Sequence, residues 1–112
     1  MANNLLLKQK EAKRITLTIT DGGTPVDLSG ATLNLGVKKS KSDEEFAFSK
    51  ADAAFNKSQA ANGIISVFLS STDLDQEAGV YVGELKIAFA DPDGTIDKSA
   101  DLGIVIGQAV TT

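Results

Sequence analysis

The groups in this chain that could do chemistry are carboxylates, lysines and hydroxyls, because it contains neither histidine nor cysteine. A serine nucleophile would have to borrow its base from lysine or a carboxylate. Thiolate chemistry, disulfides and the usual nitrogen and sulfur ligands of zinc or copper have no residues to work with. Asp73, Asp75 and Glu77 come nearest to the paired carboxylates of glycoside hydrolysis. They stand in a candidate helical turn just before Ala78-Gly79, where acidic side chains stabilise a helix N-terminus, so capping and solvation account for them better. Asp91 and Asp93 have the alternate spacing of calcium ligands, but Thr95 and Ile96 already read as the next strand, and Asp97 and Asp101 add no support. Asp91-Pro92-Asp93-Gly94 is therefore read as a hairpin turn. The ten glycines are dispersed, and Gly22-Gly23 runs into Thr24-Pro25 instead of the lysine and hydroxyl of a phosphate loop. The expectation is a protein that is not an enzyme, with no catalytic residues, no metal and no cofactor.

The charge balance narrows the partners. With a net charge of −4 over 112 residues, the chain is a poor match to a phosphate backbone, whose binding draws on clustered Lys and Arg. Its basic residues form only two local groups, Lys8, Lys10, Lys13 and Arg14, and Lys38, Lys39 and Lys41, which read as solvated faces and loop ends. No nucleic acid is expected. Leu5 to Leu7 is too short for the apolar region of a signal peptide and has its charge on the wrong side, and no stretch approaches the ~20 apolar residues of a membrane span. Synthesis in the cytoplasm without a signal peptide, and no membrane partner, are the corresponding expectations.

The elements that must position these residues alternate with period two, the repeat of a strand with one face buried. Ile15, Leu17 and Ile19 share one face against Thr16, Thr18 and Thr20; Ala31, Leu33, Leu35 and Val37 share another. Phe46 and Phe48 pattern as one short strand, and Phe55 anchors a further one. Ile64 to Ser70 is apolar on both faces, the mark of a central strand or of one whose outer face meets a partner. Tyr81, Leu85, Ile87 and Phe89 fall together, and Leu102, Ile104 and Ile106 close the chain. Asp21-Gly22-Gly23-Thr24-Pro25, Asn62-Gly63 and the Asp91 to Gly94 segment supply the turns. Helix is confined to single turns, one near Ser71 to Gln76, with Ser71 or Thr72 as cap and Asp75 or Gln76 closing the box, and a weaker one from Lys8 to Ala12. About seven or eight short strands at this spacing predict one all-β domain over residues 1–112, an immunoglobulin-like antiparallel β-sandwich. Gly79-Val80-Tyr81 resembles the start of a tyrosine corner, while the immunoglobulin cysteines and tryptophan are missing.

The order of these features resembles small bacteriophage virion domains, notably the N-terminal domain of baseplate upper proteins and related tail, head-fibre or capsid decoration proteins. The resemblance is carried by Leu5-Leu6-Leu7-Lys8-Gln9, the strand Arg14 to Thr20, Asp21-Gly22-Gly23-Thr24-Pro25-Val26-Asp27-Leu28-Ser29-Gly30-Ala31-Thr32, the Ser71-Thr72-Asp73-Leu74 turn, Gly79-Val80-Tyr81 and Asp91-Pro92-Asp93-Gly94. It covers most of the chain and implies a non-enzymatic sandwich located in the virion. Its implied partners are itself, as a homo-oligomer, and other phage structural proteins such as coat or tail subunits. The sequence stops at Thr112 without a shaft or receptor-binding tip, so the expectation is an accessory subunit, a capsid decoration protein or small tail component. The competing class is a carbohydrate-binding or adhesin-like sandwich, which needs exposed aromatic platforms that a chain with one Tyr and no Trp supplies poorly.

Contact is expected through Leu5, Leu6 and Leu7 of the N-terminal segment and through Ile64, Phe68, Val80 and Val82 as exposed apolar positions. The segments Asn3 to Lys10, within a candidate N-terminal arm over residues 1–12, and Gly107 to Thr112 are read as terminal arms that order on a partner. On that reading, deleting Met1 to Lys10 leaves a folded sandwich.

Overall fold

The computed structural model describes residues 3–40, 42–98 and 102–110. Eleven strands are present among them: β1 (Asn3–Lys8), β2 (Lys13–Thr18), β3 (Thr20–Asp21), β4 (Thr24–Pro25), β5 (Thr32–Lys38), β6 (Phe48–Lys50), β7 (Phe55–Gln59), β8 (Ile64–Leu69), β9 (Gly79–Ala88), β10 (Ile96–Lys98) and β11 (Leu102–Gly107). The larger sheet runs β1-β11-β9-β5-β6, with β10 also paired to β9; the smaller runs β2-β8-β7, and β3-β4 is a separate hairpin. The chain passes from one sheet to the other and back, so that both inner faces close on one core, the layer logic of a sandwich.

Alternation decides which side chains enter that core. Leu33, Leu35 and Val37 of β5, Tyr81, Leu85 and Ile87 of β9, and Leu102, Ile104 and Ile106 of β11 point inward from the larger sheet. Ile15, Phe55, Ile65, Val67 and Leu69 meet them from the smaller one. β8 is the middle strand of its sheet, as its two apolar faces suggested. Two buried leucines from loops plug the ends. Leu28 donates its N–H to Ala60 O at 2.8 Å, and Leu74 O accepts from Lys10 N at 2.9 Å.

The turns follow their residues. Gly22 and Gly23 both take positive φ, 60° and 85°, which the tight β3-β4 hairpin requires. Gly94 N donates to Asp91 O at 3.1 Å and Thr95 N to Asp91 Oδ1 at 2.8 Å, closing the β9-β10 hairpin. Hydrogen bonds from the Thr95 side chain and N–H hold the Asp91 carboxyl below its ordinary pKa. Asp91 is a turn residue whose oxygen is already engaged.

Six expectations need correction. Residues 3–8 are not a free arm but β1, paired in parallel with β11 from Asn3↔Leu102 to Lys8↔Gly107. The reason is the buried Leu7, which belongs to the same core as Ile106. The sandwich is consequently not wholly antiparallel. The C-terminal segment is tied to the same turn, with Gln9 N donating to Gly107 O and Ala109 N to Gln9 Oε1; residues 111–112 lie outside the described residues. Phe46 and Phe48 do not share a face. Phe48 is in register with Val37 and buried, whereas the bend at Ala47, whose N–H reaches Val37 O at 2.7 Å, turns Phe46 onto the outside.

The remaining two concern helical turns. The capping box lies earlier than the spacing suggested, with Ser70 as cap in place of Ser71 or Thr72 and Asp73 closing it in place of Asp75 or Gln76: Ser70 N donates to Asp73 Oδ2 at 2.9 Å and Asp73 N to Ser70 Oγ at 3.1 Å. Lys8 to Ala12 is a tight turn, with Lys10 at φ 61° and Lys8 N donating to Glu11 Oε1.

Candidate protein-interaction surface

Because strands alternate, the outer faces of the two sheets receive different parts of the expected contact set. On the larger sheet, Leu6 pairs with Val105 and Val105 with Val80, so three apolar side chains line up across β1, β11 and β9. Leu6 is 76% exposed and Val80 69%. The next row along β9 carries the half-buried Val82, opposite Gly103 and Lys38. On the smaller sheet, Ile64 and Phe68 project outward from β8. Arg14, opposite Phe68, stands with its guanidinium 6.0 Å from the ring centroid and donates to Ser66 Oγ at 3.3 Å.

Leu6, Val80 and Val82 are thus brought together on one face, and Ile64 and Phe68 share the opposite one. Leu7 is removed from the set: at 5% exposure it is a core residue. Leu5 points the same way as Leu7 and packs against the core. Val105 completes the apolar row yet was not singled out from the sequence. Its signal was the alternation of β11, where Leu102, Ile104 and Ile106 claim the inner face and leave Val105 outside.

Beside this row lies an open groove of about 710 Å³, lined by Asn34, Lys38, Phe46, Ser49, Val82, Glu84, Lys86 and Lys98 among others. Gly36 makes it. A Cβ built at that position would stand 2.5 Å from Phe46 Cε1, so only glycine lets the ring lie on the sheet. The Lys38 ammonium sits 5.1 Å from the same ring centroid, within cation–π range.

Two of the three clustered carboxylates are paired, each with a different lysine. Asp73 caps its turn and pairs with Lys50, both largely buried. Burial, the largest single influence, pushes the Asp73 carboxyl up. The Lys50 ammonium and the Ser70 N–H and hydroxyl together outweigh it and leave the pKa below the ordinary value. Glu77 pairs at the surface with Lys39, whose hydrogen bond and charge lower the Glu77 pKa, and Asp75 is exposed. The single tyrosine is no sugar platform: Tyr81 is 3% exposed and its hydroxyl donates to Glu77 O at 2.7 Å.

These features define a two-sheet β module whose outer faces, strand by strand, carry its exposed apolar and basic groups. The N-terminal domain of phage TP901-1 ORF48 has the same fold, with a TM-score of 0.63 over 96% of this chain and 85% of that one. At 14% identity the likeness is one of fold, and it is the fold that the order of turns and strands implied. No protein-family model and no curated protein matches the sequence. Among the described residues, no helix is long and apolar enough to cross a membrane.

Proposed function

We propose that this chain is a non-enzymatic phage virion domain, an accessory subunit of the capsid decoration or small tail component kind. It acts through contacts with neighbouring virion proteins and with its own copies. The observation that carries this reading is the fold shared with a phage domain over 96% of the chain. The tyrosine corner formed by Tyr81 and Glu77 supports describing the sandwich as immunoglobulin-like.

The contact surface is the Leu6–Val105–Val80 row with the edge strand β1 beside it. An edge strand offers backbone groups to which a neighbour's strand can add. The four central residues of β1, Asn4 to Leu7, carry neither charge nor proline to discourage it. Apolar side chains at such exposure gain from being covered, at roughly 25 cal/mol per Å² removed from water.

Co-sedimentation with phage particles that lack this protein tests the reading. The wild-type chain is expected to pellet with the particles, and the double variant Leu6→Glu, Val80→Glu to stay in the supernatant while keeping its thermal stability. A wild-type chain that never pellets would overturn the proposal.

A further inference from the structure

Lys86 and Lys98 are direct partners across β9 and β10, with both side chains on the groove side of the larger sheet. Like charges placed opposite one another in an antiparallel pair destabilise it. Among the described residues neither lysine has an ion pair to relieve the repulsion. Lys38 adds a third ammonium along the same groove; among the described residues Glu84 is the one carboxylate in the lining, and Asn34 and Ser49 add an amide and a hydroxyl. In a protein of net charge −4, this concentration of positive charge in a preformed concavity calls for an anionic occupant.

The same surface supplies one. Asp43, Glu44 and Glu45 are consecutive and exposed, and they lead directly into Phe46, whose ring forms the wall of the groove. Loop and groove are therefore adjacent but distinct, which is the arrangement a two-fold axis needs to set each loop over the other copy's groove. We infer that the chain forms an isologous dimer in which the Asp43–Glu45 loop of each copy enters the Lys38, Lys86 and Lys98 groove of the other. This inference rests on the reading above that the chain acts in part through contacts with its own copies, and it names the surface used. The apolar row at β1 is left for a different partner.

Complementary charge reversal tests it. Variant one carries Lys86→Glu and Lys98→Glu; variant two carries Asp43→Lys, Glu44→Lys and Glu45→Lys. All five positions are exposed, so both variants are expected to fold, with circular dichroism as the check. By sedimentation velocity at low salt the wild-type chain is expected to dimerise, and each variant alone to weaken dimerisation by at least about tenfold, like charges now facing each other. An equimolar mixture of the two variants is expected to recover the dimer, since loop and groove are then opposite in sign at both contacts. Raising the salt from about 0.01 M to about 1 M, which shortens the screening length from roughly 30 Å to 3 Å, should dissociate the wild-type dimer.

A wild-type monomer, a dimer unaffected by either reversal, or a mixture that stays monomeric would each overturn the inference. Particle co-sedimentation separates this outcome from the virion reading: a monomer that still pellets with particles overturns the dimer alone.

Discussion

The ring of Phe46 occupies the space above Gly36 where any other residue would place its Cβ, 2.5 Å from Cε1. One missing methyl group thus holds the strand-to-strand loop against the outer face of the larger sheet and shapes the groove. Gly36→Val is expected to expel the ring without disturbing the inward-facing Leu35 and Val37. Phe46 exposure, followed by quenching or by NMR shifts of its ring, should rise, while the melting temperature falls by only a few degrees, equivalent to about 1 kcal/mol. In the dimer assay the same substitution should reduce association.

Tyr81→Phe removes one hydroxyl from the corner and leaves the Glu77 carbonyl without its donor. A loss of about 1 kcal/mol is expected by denaturant titration, near the usual worth of such a hydrogen bond. No change in particle attachment should accompany it, because Tyr81 is buried.

The pH dependence of stability has a definite sign at Asp73. Its folded pKa lies below the ordinary carboxylate value, so the folded state binds fewer protons there than the unfolded chain does. The contribution is complete above the unfolded pKa of about 4 and is lost as the pH falls through the folded value. Urea midpoints measured downward from neutral pH should drop below about pH 4. Asp73→Asn should lower stability at neutral pH by about 1–3 kcal/mol, since Lys50 is left partly buried without its counter-charge. The same change should flatten the acid limb.

Neighbouring leucines in β1 should behave oppositely. Leu7→Ala empties a core position and is expected to cost about 2–3 kcal/mol. Leu6→Ala, at 76% exposure, should stay within about 0.5 kcal/mol of wild type and weaken particle attachment instead. For the same reason, deletion of residues 1–10 is expected to destabilise the sandwich by more than about 2 kcal/mol, where a free arm would have been removable at no cost. Thermal melts of the three variants decide between the two.

Gly63 combines a φ of 74° with close backbone of Ile19 and Val26; a Cβ there would come 2.5 Å from Ile19 O and 3.0 Å from Val26 O. Gly63→Ala is expected to cost more than about 1 kcal/mol, because carbonyls of fixed backbone cannot step aside. The readout is the urea midpoint.

Alternation in the sequence was enough to assign the inner faces of β2, β5, β8, β9 and β11, because period two is a local property that the pleat converts directly into facing. Turn chemistry was equally legible: Gly22-Gly23 and Asp91 to Gly94 are hairpins because their residues can adopt the required dihedrals. Leu28 and Leu74 escaped notice for the converse reason. Each is an isolated leucine among polar turn residues, and its burial comes from the position of the loop over the end of the sandwich, not from any periodic pattern.

What the sequence by itself determined is the all-β class, the two faces of each long strand, the turns and the tyrosine corner, all of which follow from interactions spanning a few residues. Only the tertiary structure decided that Asn3–Lys8 is an edge strand parallel to Leu102–Gly107, that Leu6, Val105 and Val80 form one row, and that Lys86 faces Lys98. The first two relations depend on register between segments well apart in the chain, and the third on the register that the β9-β10 hairpin adopts. Register is fixed by how the whole core closes, since a one-residue slip would send every inward side chain to the other face.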